Sequence, residues 1–244
     1  MPNFNIEGGW TVGNGWGLQS YSGGNPVTAG LVMNLDAATL SANPTTWTDS
    51  VSNLVFTLNN SPTYSSANGG ILQFNAASSQ WASSPNQSFG SLSNWSVEVW
   101  HYYTGSNTGQ LPCIVTETFV GGNINFNLGN GNGSSGNLQS GYYNGGWRTT
   151  ATTYSLPTTN AWYQIVGTFD GTNNVLYVNN SVISTAAGSG ASSSSGNGIR
   201  LMNRWDTGNY WGGYLGIVRI YNGALTPTQI SQNYNANKTR FGLT

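Results

Sequence analysis

The segment at 161–185, AWYQIVGTFDGTNNVLYVNNSVIST, constrains the fold more than any other part of the chain. Apolar, β-branched and aromatic residues fill the runs at 162–169 and 175–178. Asp170-Gly171 and Asn179-Asn180 follow these runs, and such pairs accept the positive φ angles that tight hairpin turns require. The pattern predicts three antiparallel strands in sequence. A meander this rich in apolar residues needs a second layer to cover it.

Short apolar runs continue along the rest of the chain, with turn signals at intervals of roughly 8–12 residues, which is typical of a β-sandwich. The run at 95–103 has two bulky faces, on which Trp95, Val97, Val99, His101 and Tyr103 alternate with Ser96, Glu98, Trp100 and Tyr102. Only 224–240 has helical character, with Thr226 as N-cap and Pro227 in the first helical position. We therefore expect an all-β fold of two antiparallel sheets with one short C-terminal helix.

The first 26 residues differ from the rest because glycines and large apolar side chains alternate there without a clean period. We interpret 1–26 as an arm that docks on a neighbouring subunit, and 27–244 as a single domain. An extra strand on the chain's own domain is the alternative for the arm. The residues expected to make the docking contacts are Phe4, Ile6, Trp10, Trp16 and Tyr21.

Charge is scarce in this sequence. Only 5% of the 244 residues are charged and the net charge is −1, against roughly 25% charged residues in ordinary globular domains. This argues against nucleic-acid binding and against attraction to an anionic membrane. A surface of Asn, Ser, Thr, Gln and Gly suits contact with other copies of the chain or with glycans. We also expect no secretion signal and no membrane-spanning segment, so that synthesis is cytoplasmic.

Several motifs resemble a known family. The hairpin follows W-x-x-[IV]-x-x-T-[FY]-D-G-x-x-x-x-L-Y-V-N and resembles the signature hairpin of laminin-G-like jelly rolls of the concanavalin A-like class. SNWSVEVW is similar to a family strand that carries one acidic residue between apolar ones. GLVMNLDA, TTWTDSVSN and the closing GYLGIVRIYNGALTPTQISQNYNANKTRFGL resemble modules in structural proteins of tailed bacteriophages and large viruses. The resemblance covers nearly all of 30–243 and implies a jelly-roll fold in a virion setting.

Calcium sites in the family are only partly matched. The loop after ILQF lacks the acidic residues that are common there, and so does the position before VRIY. Calcium prefers several clustered carboxylate oxygens. We expect no cofactor, and leave open calcium binding at Asp36, Asp49 and Asp206.

Catalytic patterns are weak in this chain. Glucanases of the same class place paired carboxylates on one strand, and retaining hydrolysis needs them about 5–5.5 Å apart. Glu98 and Glu117 each have no second carboxylate on their strand face. His101 is the single histidine and Cys113 the single thiol, so we interpret both as buried residues and expect no enzymatic activity.

Aromatic and amide side chains are abundant enough for a lectin-type site, in which rings stack on sugars. Because most tryptophans of a sandwich belong to its core, we expect only some of them to be exposed. Those near Trp147 and between Trp205 and Trp211 lie in segments rich in Gly and Asn. The candidates are Trp100, Tyr102, Trp147, Arg148, Trp205, Tyr210 and Trp211.

From the sequence we expect a non-enzymatic surface protein of a tailed-phage virion, either a capsid decoration or a tail or fibre component. Its expected partners are other virion proteins and copies of itself, with contact to host or environmental glycans. A glycan-binding adhesin or receptor-binding module is the alternative and is compatible with a virion location. A glucanase-like hydrolase is the third hypothesis.

Overall fold

The computed structural model describes residues 24–87, 92–108, 113–119, 123–130, 137–150, 154–188, 197–205 and 208–244. Within these residues the strands are, in chain order, β1 (Leu31–Asp36), β2 (Thr46–Thr48), β3 (Val55–Asn59), β4 (Thr63–Ser65), β5 (Ile71–Phe74), β6 (Trp81–Asn86), β7 (Trp95–Asn107), β8 (Cys113–Glu117), β9 (Asn123–Asn130), β10 (Asn137–Asn144), β11 (Trp147–Thr149), β12 (Tyr154–Ser155), β13 (Ala161–Phe169), β14 (Asn173–Val178), β15 (Ser181–Ala187), β16 (Gly198–Leu201) and β17 (Trp211–Asn222).

The strands form two antiparallel sheets. Sheet A has the order β15-β14-β13-β7-β17-β5-β4, with β1 also paired to β17. Sheet B has the order β11-β10-β9-β8-β16-β6-β3-β2, with β12 also paired to β10. Because strands that are distant in sequence pair at the centre of each sheet, the two layers form a jelly-roll sandwich. The predicted fold class is confirmed.

The core lies between the sheets and is built mainly from large aromatic side chains. Trp47, Phe56 and Phe126 of sheet B face Trp95 and Phe169 of sheet A, and all five are buried. Burying one such side chain contributes about 1.5–3 kcal/mol. The predicted alternation on β7 is confirmed, because Trp95, Val97, Val99 and Tyr103 all belong to this core.

The hairpin at 161–185 forms as its sequence predicts. β13 pairs with β14, with Ile165 opposite Val178 at one end and Phe169 opposite Asn174 at the other, and β14 pairs with β15. Asp170 stabilises the first turn by accepting hydrogen bonds from the backbone of Thr172 and Asn173, both at 2.7 Å. The backbone N–H groups that donate these bonds lower the pKa of Asp170. Its role in the turn accounts for the Asp in the motif.

A C-terminal helix covers the outer face of sheet A. The helix, α1 (Pro227–Asn237), is capped by Thr226, whose side chain accepts from the Gln229 backbone while the Gln229 side chain returns to the Thr226 backbone. A 3-10 turn at Lys238–Phe241 follows. This explains part of the second bulky face of β7, because Glu98 and Trp100 pack under α1 and the turn that follows it. No helix in the described parts of the chain is both long and apolar enough to cross a membrane.

Residues 24–29 run along α1 and begin the described structure. Val27 N donates to Asn233 Oδ1 at 2.7 Å, and Gln232 Nε2 donates to Asn25 O at 2.9 Å. The docking-arm residues Phe4, Ile6, Trp10, Trp16 and Tyr21 lie outside the described residues, so their role stays a prediction. The proposed boundary between arm and domain is likewise a prediction.

Candidate functional site

Glu98 lies on the outer face of β7 beneath α1 and is fully buried. Its carboxylate accepts hydrogen bonds from Asn233 Nδ2 at 2.7 Å and from Gln164 Nε2 at 2.8 Å. Trp100 Nε1 donates at 3.1 Å, and Arg219 Nη1 lies 3.4 Å away. An acid or base catalyst must reach its substrate, whereas this carboxylate is enclosed and surrounded by donors. We conclude that Glu98 holds the helix against the sheet.

The same network continues to Tyr221. Asn233 Nδ2 lies 2.9 Å from the Tyr221 hydroxyl, which donates to Val27 O at 3.2 Å. Burial, and secondarily the negative charge of Glu98, raises the pKa of Tyr221 above its ordinary value. Tyr221 is therefore a neutral hydrogen-bonding group that joins α1 to the backbone of Val27.

Glu117, at the end of β8, is also fully buried. Its carboxylate accepts from Asn125 N at 2.8 Å and Asn125 Nδ2 at 3.1 Å, and from Gln87 Nε2 at 3.3 Å. These amides fix the carboxylate within the protein. Glu117 therefore has a structural environment, as Glu98 does.

His101 is buried in the interior between two fixed partners. The Trp211 indole N–H donates to Nε2 at 3.0 Å, and Nδ1 lies 3.0 Å from Tyr214 O. An indole nitrogen can only donate, so Nε2 is the acceptor and Nδ1 carries the proton. Burial lowers the pKa of His101 to about 3. Cys113 is buried as well, in agreement with the structural interpretation of both residues.

Two of the three aspartates considered for calcium, Asp36 and Asp49, serve as structural groups. Asp49 is buried and accepts from four backbone N–H groups of its own turn and of β1. Asp36 caps a 3-10 turn through Ala38 N and forms an ion pair with Arg240 at 2.8 Å. Asp206 lies outside the described residues. Within the described ranges, no three His, Cys, Asp or Glu side chains form a group that could hold a metal ion.

Two of the candidate sugar-binding tryptophans are in the interior. Trp100 is fully buried because Tyr234 and Phe241 stack on it at ring distances of 5.9 and 4.8 Å. Trp211 is fully buried because it begins β17 and binds His101. The expectation that Trp211 is exposed in a loop is wrong, and neither indole is accessible for stacking on a ligand.

The structure brings two other candidates together. Trp147 and Trp205 are far apart in sequence, yet their rings lie 4.8 Å apart on the outer face of sheet B, and both are half-buried. Tyr143 packs edge-on against Trp147 at 5.4 Å, and Phe119 packs against Tyr143 at 5.2 Å. We call Phe119, Tyr143, Trp147 and Trp205 the aromatic row.

Local strand pairing positions the row. β10 and β11 form a hairpin in which Tyr143 pairs with Trp147. Tyr142 points into the core, so its neighbour Tyr143 points outward. Phe119 follows β8 and is 44% exposed. The row therefore offers ring faces and edges on the outer surface of sheet B.

Trp205 is held by the turn that follows β16. Arg200 Nη1 donates to Asn203 Oδ1 at 2.8 Å and to Arg204 O at 3.2 Å. The Arg204 guanidinium lies 4.6 Å from the centre of the Trp205 ring, a cation–π arrangement. These contacts fix the indole before any ligand arrives.

The remaining candidates lie around or apart from the row. Arg148 is next to it on β11 and donates from Nη1 to Trp147 O at 3.2 Å. Tyr210 is half-buried and bridges to Asn203 at the base of the Trp205 turn. Tyr102 lies on the other side of the sandwich, on the outer face of sheet A, between Trp162 and Tyr214.

Sequence reasoning missed Phe119 and Tyr143. For Tyr143 a signal existed, because alternation along LQSGYY places Leu138, Ser140 and Tyr142 on one face and Tyr143 on the other. Phe119 follows the polar residues Thr116, Glu117 and Thr118 and carries no comparable signal. Its contact with Tyr143 depends on where two strands meet.

Comparison with known proteins identifies the fold family. The Laminin_G_3 family model, described as concanavalin A-like lectin/glucanases superfamily, matches residues 75–231, almost two thirds of the chain. The chain belongs to this superfamily. The resemblance predicted from the hairpin and from SNWSVEVW is thereby confirmed. Among curated proteins, none matches the chain.

Several solved structures share the fold of this chain. Domain 4 of AbnA, an extracellular GH43 arabinanase from Geobacillus stearothermophilus in complex with arabinotriose, has a TM-score of 0.67 at 19% identity, over 85% of this chain and 98% of that domain. Trypanosoma rangeli sialidase in complex with sialic acid has a TM-score of 0.62 at 16% identity, and the match covers 89% of this chain and 35% of the sialidase chain. The botulinum neurotoxin type G receptor-binding domain has a TM-score of 0.64 at 12% identity, and the match covers 88% of this chain and 54% of the neurotoxin chain. The chain thus spans almost all of the arabinanase domain, but only about a third and a half of the other two chains.

Proposed function

We propose that this domain binds glycans through the aromatic row and catalyses no reaction. The observation that carries the proposal is the pairing of Trp147 with Trp205 at 4.8 Å on the surface of sheet B, extended by Tyr143 and Phe119. Aromatic faces with adjacent polar groups are suited to sugar rings, whose C–H faces are apolar and whose rims carry hydroxyls. The Arg204 guanidinium lies over the Trp205 ring, and Arg148 follows Trp147 on β11.

The superfamily and its structural neighbours support this proposal. Arabinotriose and sialic acid are bound in two of the similar structures, and the third is a receptor-binding domain. The identities are too low to transfer a particular ligand or site. They do support a glycan as the class of ligand to be tested first.

The non-enzymatic part of the proposal rests on the surroundings of the two glutamates that the sequence singled out. Glu98 is enclosed under α1 and Glu117 is fixed by buried amides. His101 is held neutral by burial and has both ring nitrogens occupied. None of these groups is presented to the aromatic row.

A glycan array with the full chain tests the proposal, followed by titration of the best ligand. Trp147→Ala and Trp205→Ala should each weaken binding about tenfold, because losing a ring contact of about 1.4 kcal/mol has that effect. Val182→Ala is the control, since Val182 is exposed on β15 at the edge of sheet A, in the opposite layer from the row. Equal binding by all three folded variants would contradict the assignment. Repeating the array with EDTA tests whether calcium takes part.

For the biological setting, we propose a virion surface location in which copies of the chain and other virion proteins are the partners. The phage-like opening and closing segments and the low charge support this setting, whereas the neighbours named above come from toxins and glycoside-processing enzymes. Residues 1–26 would make the subunit contacts. Immunogold labelling of purified particles tests the location, and sedimentation of the full chain tests self-association. Absence of label on particles would refute the virion setting and leave the glycan proposal intact.

A further inference from the structure

A second row of side chains crosses the opposite face of the sandwich. On sheet A, Gln73 of β5 pairs with Tyr214 of β17, Tyr214 with Tyr102 of β7, and Tyr102 with Trp162 of β13. At least one strand neighbour of each residue belongs to the core, namely Leu72, Leu215, Tyr103 and Tyr163, so the four side chains point outward. Because neighbouring strands are about 4.8 Å apart, the row from Gln73 to Trp162 across four strands is roughly 14 Å long.

These side chains form the floor of a cleft. The Tyr102 ring lies 5.5 Å from Trp162 and 5.3 Å from Tyr214, both edge-on. The cleft has a volume of about 450 Å³, and Ser65 and Asn68 contribute to one wall. This volume lies within the range of small-molecule sites. Three rings and several uncharged polar groups therefore converge on one concave surface.

The wall of the cleft is fixed by the C-terminal tail. Arg240 donates to Asn68 O at 2.7 Å and to Gly70 O at 3.0 Å, while its charge is paired with Asp36. Asn68 Nδ2 returns a hydrogen bond to Arg240 O at 2.9 Å. The loop at 67–69 is thus held from two sides. A ligand would not have to order this wall, which lowers the cost of binding.

The cleft has polar groups available for a ligand. Within the described residues, the Gln73 amide and the hydroxyls of Tyr102 and Tyr214 have no protein hydrogen bond. Gln73 is exposed and both tyrosines are half-buried. No residue that lines the cleft is charged. An anionic ligand would therefore find no counter-charge in the lining, and the guanidinium of Arg240, which holds the wall, is paired with Asp36.

We propose that this cleft is a second carbohydrate site, which takes a neutral mono- or disaccharide unit. The rings would contact the apolar face of a sugar, and the Gln73 amide and tyrosine hydroxyls would bond its hydroxyl groups. The site lies on the outer face of sheet A, whereas the aromatic row lies on sheet B. The second site does not depend on the first, and together they would let one domain bind two glycan chains.

The test titrates the full chain with neutral oligosaccharides, namely arabino-, gluco-, galacto- and manno-configured di- and trisaccharides. Binding is measured by the change in amide NMR chemical shifts. Gln73→Ala and Tyr214→Ala should weaken binding of the best probe at least tenfold. Thr63→Ala is the matched control, since Thr63 pairs with Gln73 but does not line the cleft. In Thr63→Ala and Trp147→Ala, the affinity measured from the shift changes near Tyr102 and Trp162 should stay within twofold of the wild-type value.

The outcomes separate this inference from the proposal for the aromatic row. Loss of binding in Trp147→Ala, with Gln73→Ala unaffected, would overturn the second site and support the row. Loss in Gln73→Ala, with Trp147→Ala unaffected, would support the second site alone. Absence of shifts at the cleft with every neutral probe at millimolar concentration would overturn it, and so would occupation of the cleft by the chain's own residues 1–23. If Tyr214→Ala fails to fold, Gln73→Ala decides, because Gln73 is exposed.

Discussion

Replacing His101 by glutamine should remove a large part of the acid sensitivity of this domain. His101 Nε2 accepts the indole N–H of Trp211 at 3.0 Å, and Nδ1 lies 3.0 Å from Tyr214 O. Protonation of Nε2 would turn it into a donor that faces the Trp211 indole N–H, so this hydrogen bond would be lost. It would also leave an unpaired positive charge in the protein interior. The folded state therefore keeps this ring neutral, and burial lowers its pKa from 6.5 to about 3.

The magnitude follows from proton linkage. Between pH 6.5 and about 3 the unfolded chain binds a proton at this histidine and the folded chain does not. The free energy of unfolding therefore falls as the pH falls through this range, by at most about 1.4 kcal/mol per pH unit. Above pH 6.5 the stabilisation is fully present. Between pH 7.5 and pH 5 the expected loss is about 2 kcal/mol.

Urea unfolding of the wild type and of His101→Gln at several pH values measures this effect. The glutamine Oε1 can accept the hydrogen bond from the Trp211 N–H but cannot take up a proton. The variant therefore lacks the histidine's pH-dependent contribution to the free energy of unfolding. Subtracting the two curves cancels carboxylates that titrate in both proteins. We expect the wild-type stability relative to the variant to fall by about 2 kcal/mol from pH 7.5 to pH 5. A difference that stays constant to within about 0.5 kcal/mol would refute the reasoning.

Two further predictions concern the cover of sheet A. Glu98→Gln leaves the Arg219 charge buried without a counter-ion and should cost about 3–5 kcal/mol in urea unfolding; adding Arg219→Met should recover part of this loss, and a cost below about 1 kcal/mol would show that the network is not structural. Gly216→Ala would place a Cβ 2.4 Å from the Phe241 ring and should cost about 1–3 kcal/mol. Phe241→Leu in the same chain should relieve part of that strain, and an unchanged urea midpoint in Gly216→Ala would argue against this packing.

Much of the fold could be predicted because the relevant information is local. Turn residues and the alternation of apolar side chains define the meander at 161–185, and the Thr226-Pro227 pair marks the start of α1. Alternation also assigned the two faces of β7 correctly. What alternation could not show is that a helix would cover the outer face, which is why Trp100 seemed available for a ligand.

The candidate site was harder to predict because it depends on strand register. The contact between Trp147 and Trp205 joins the β10–β11 hairpin to a turn after β16, and the line from Gln73 to Trp162 crosses four strands. One residue of slippage in any strand would turn its side chain to the other face. Sequence composition could identify a surplus of aromatic residues, but only the pairing shows which of them meet outside the core.

The scarce charges explain why the two surfaces differ in the ligands that they suit. Most charged side chains in the described residues have structural partners: Glu98 with Arg219, Asp36 with Arg240, and Asp49 with its own turn. A charge that is paired or buried in this way cannot recognise a ligand without weakening the fold. The cleft on sheet A is consequently lined by rings, amides and hydroxyls alone. The cleft is therefore suited to a neutral sugar, and it differs in this from the aromatic row, where the Arg204 guanidinium lies over the Trp205 ring.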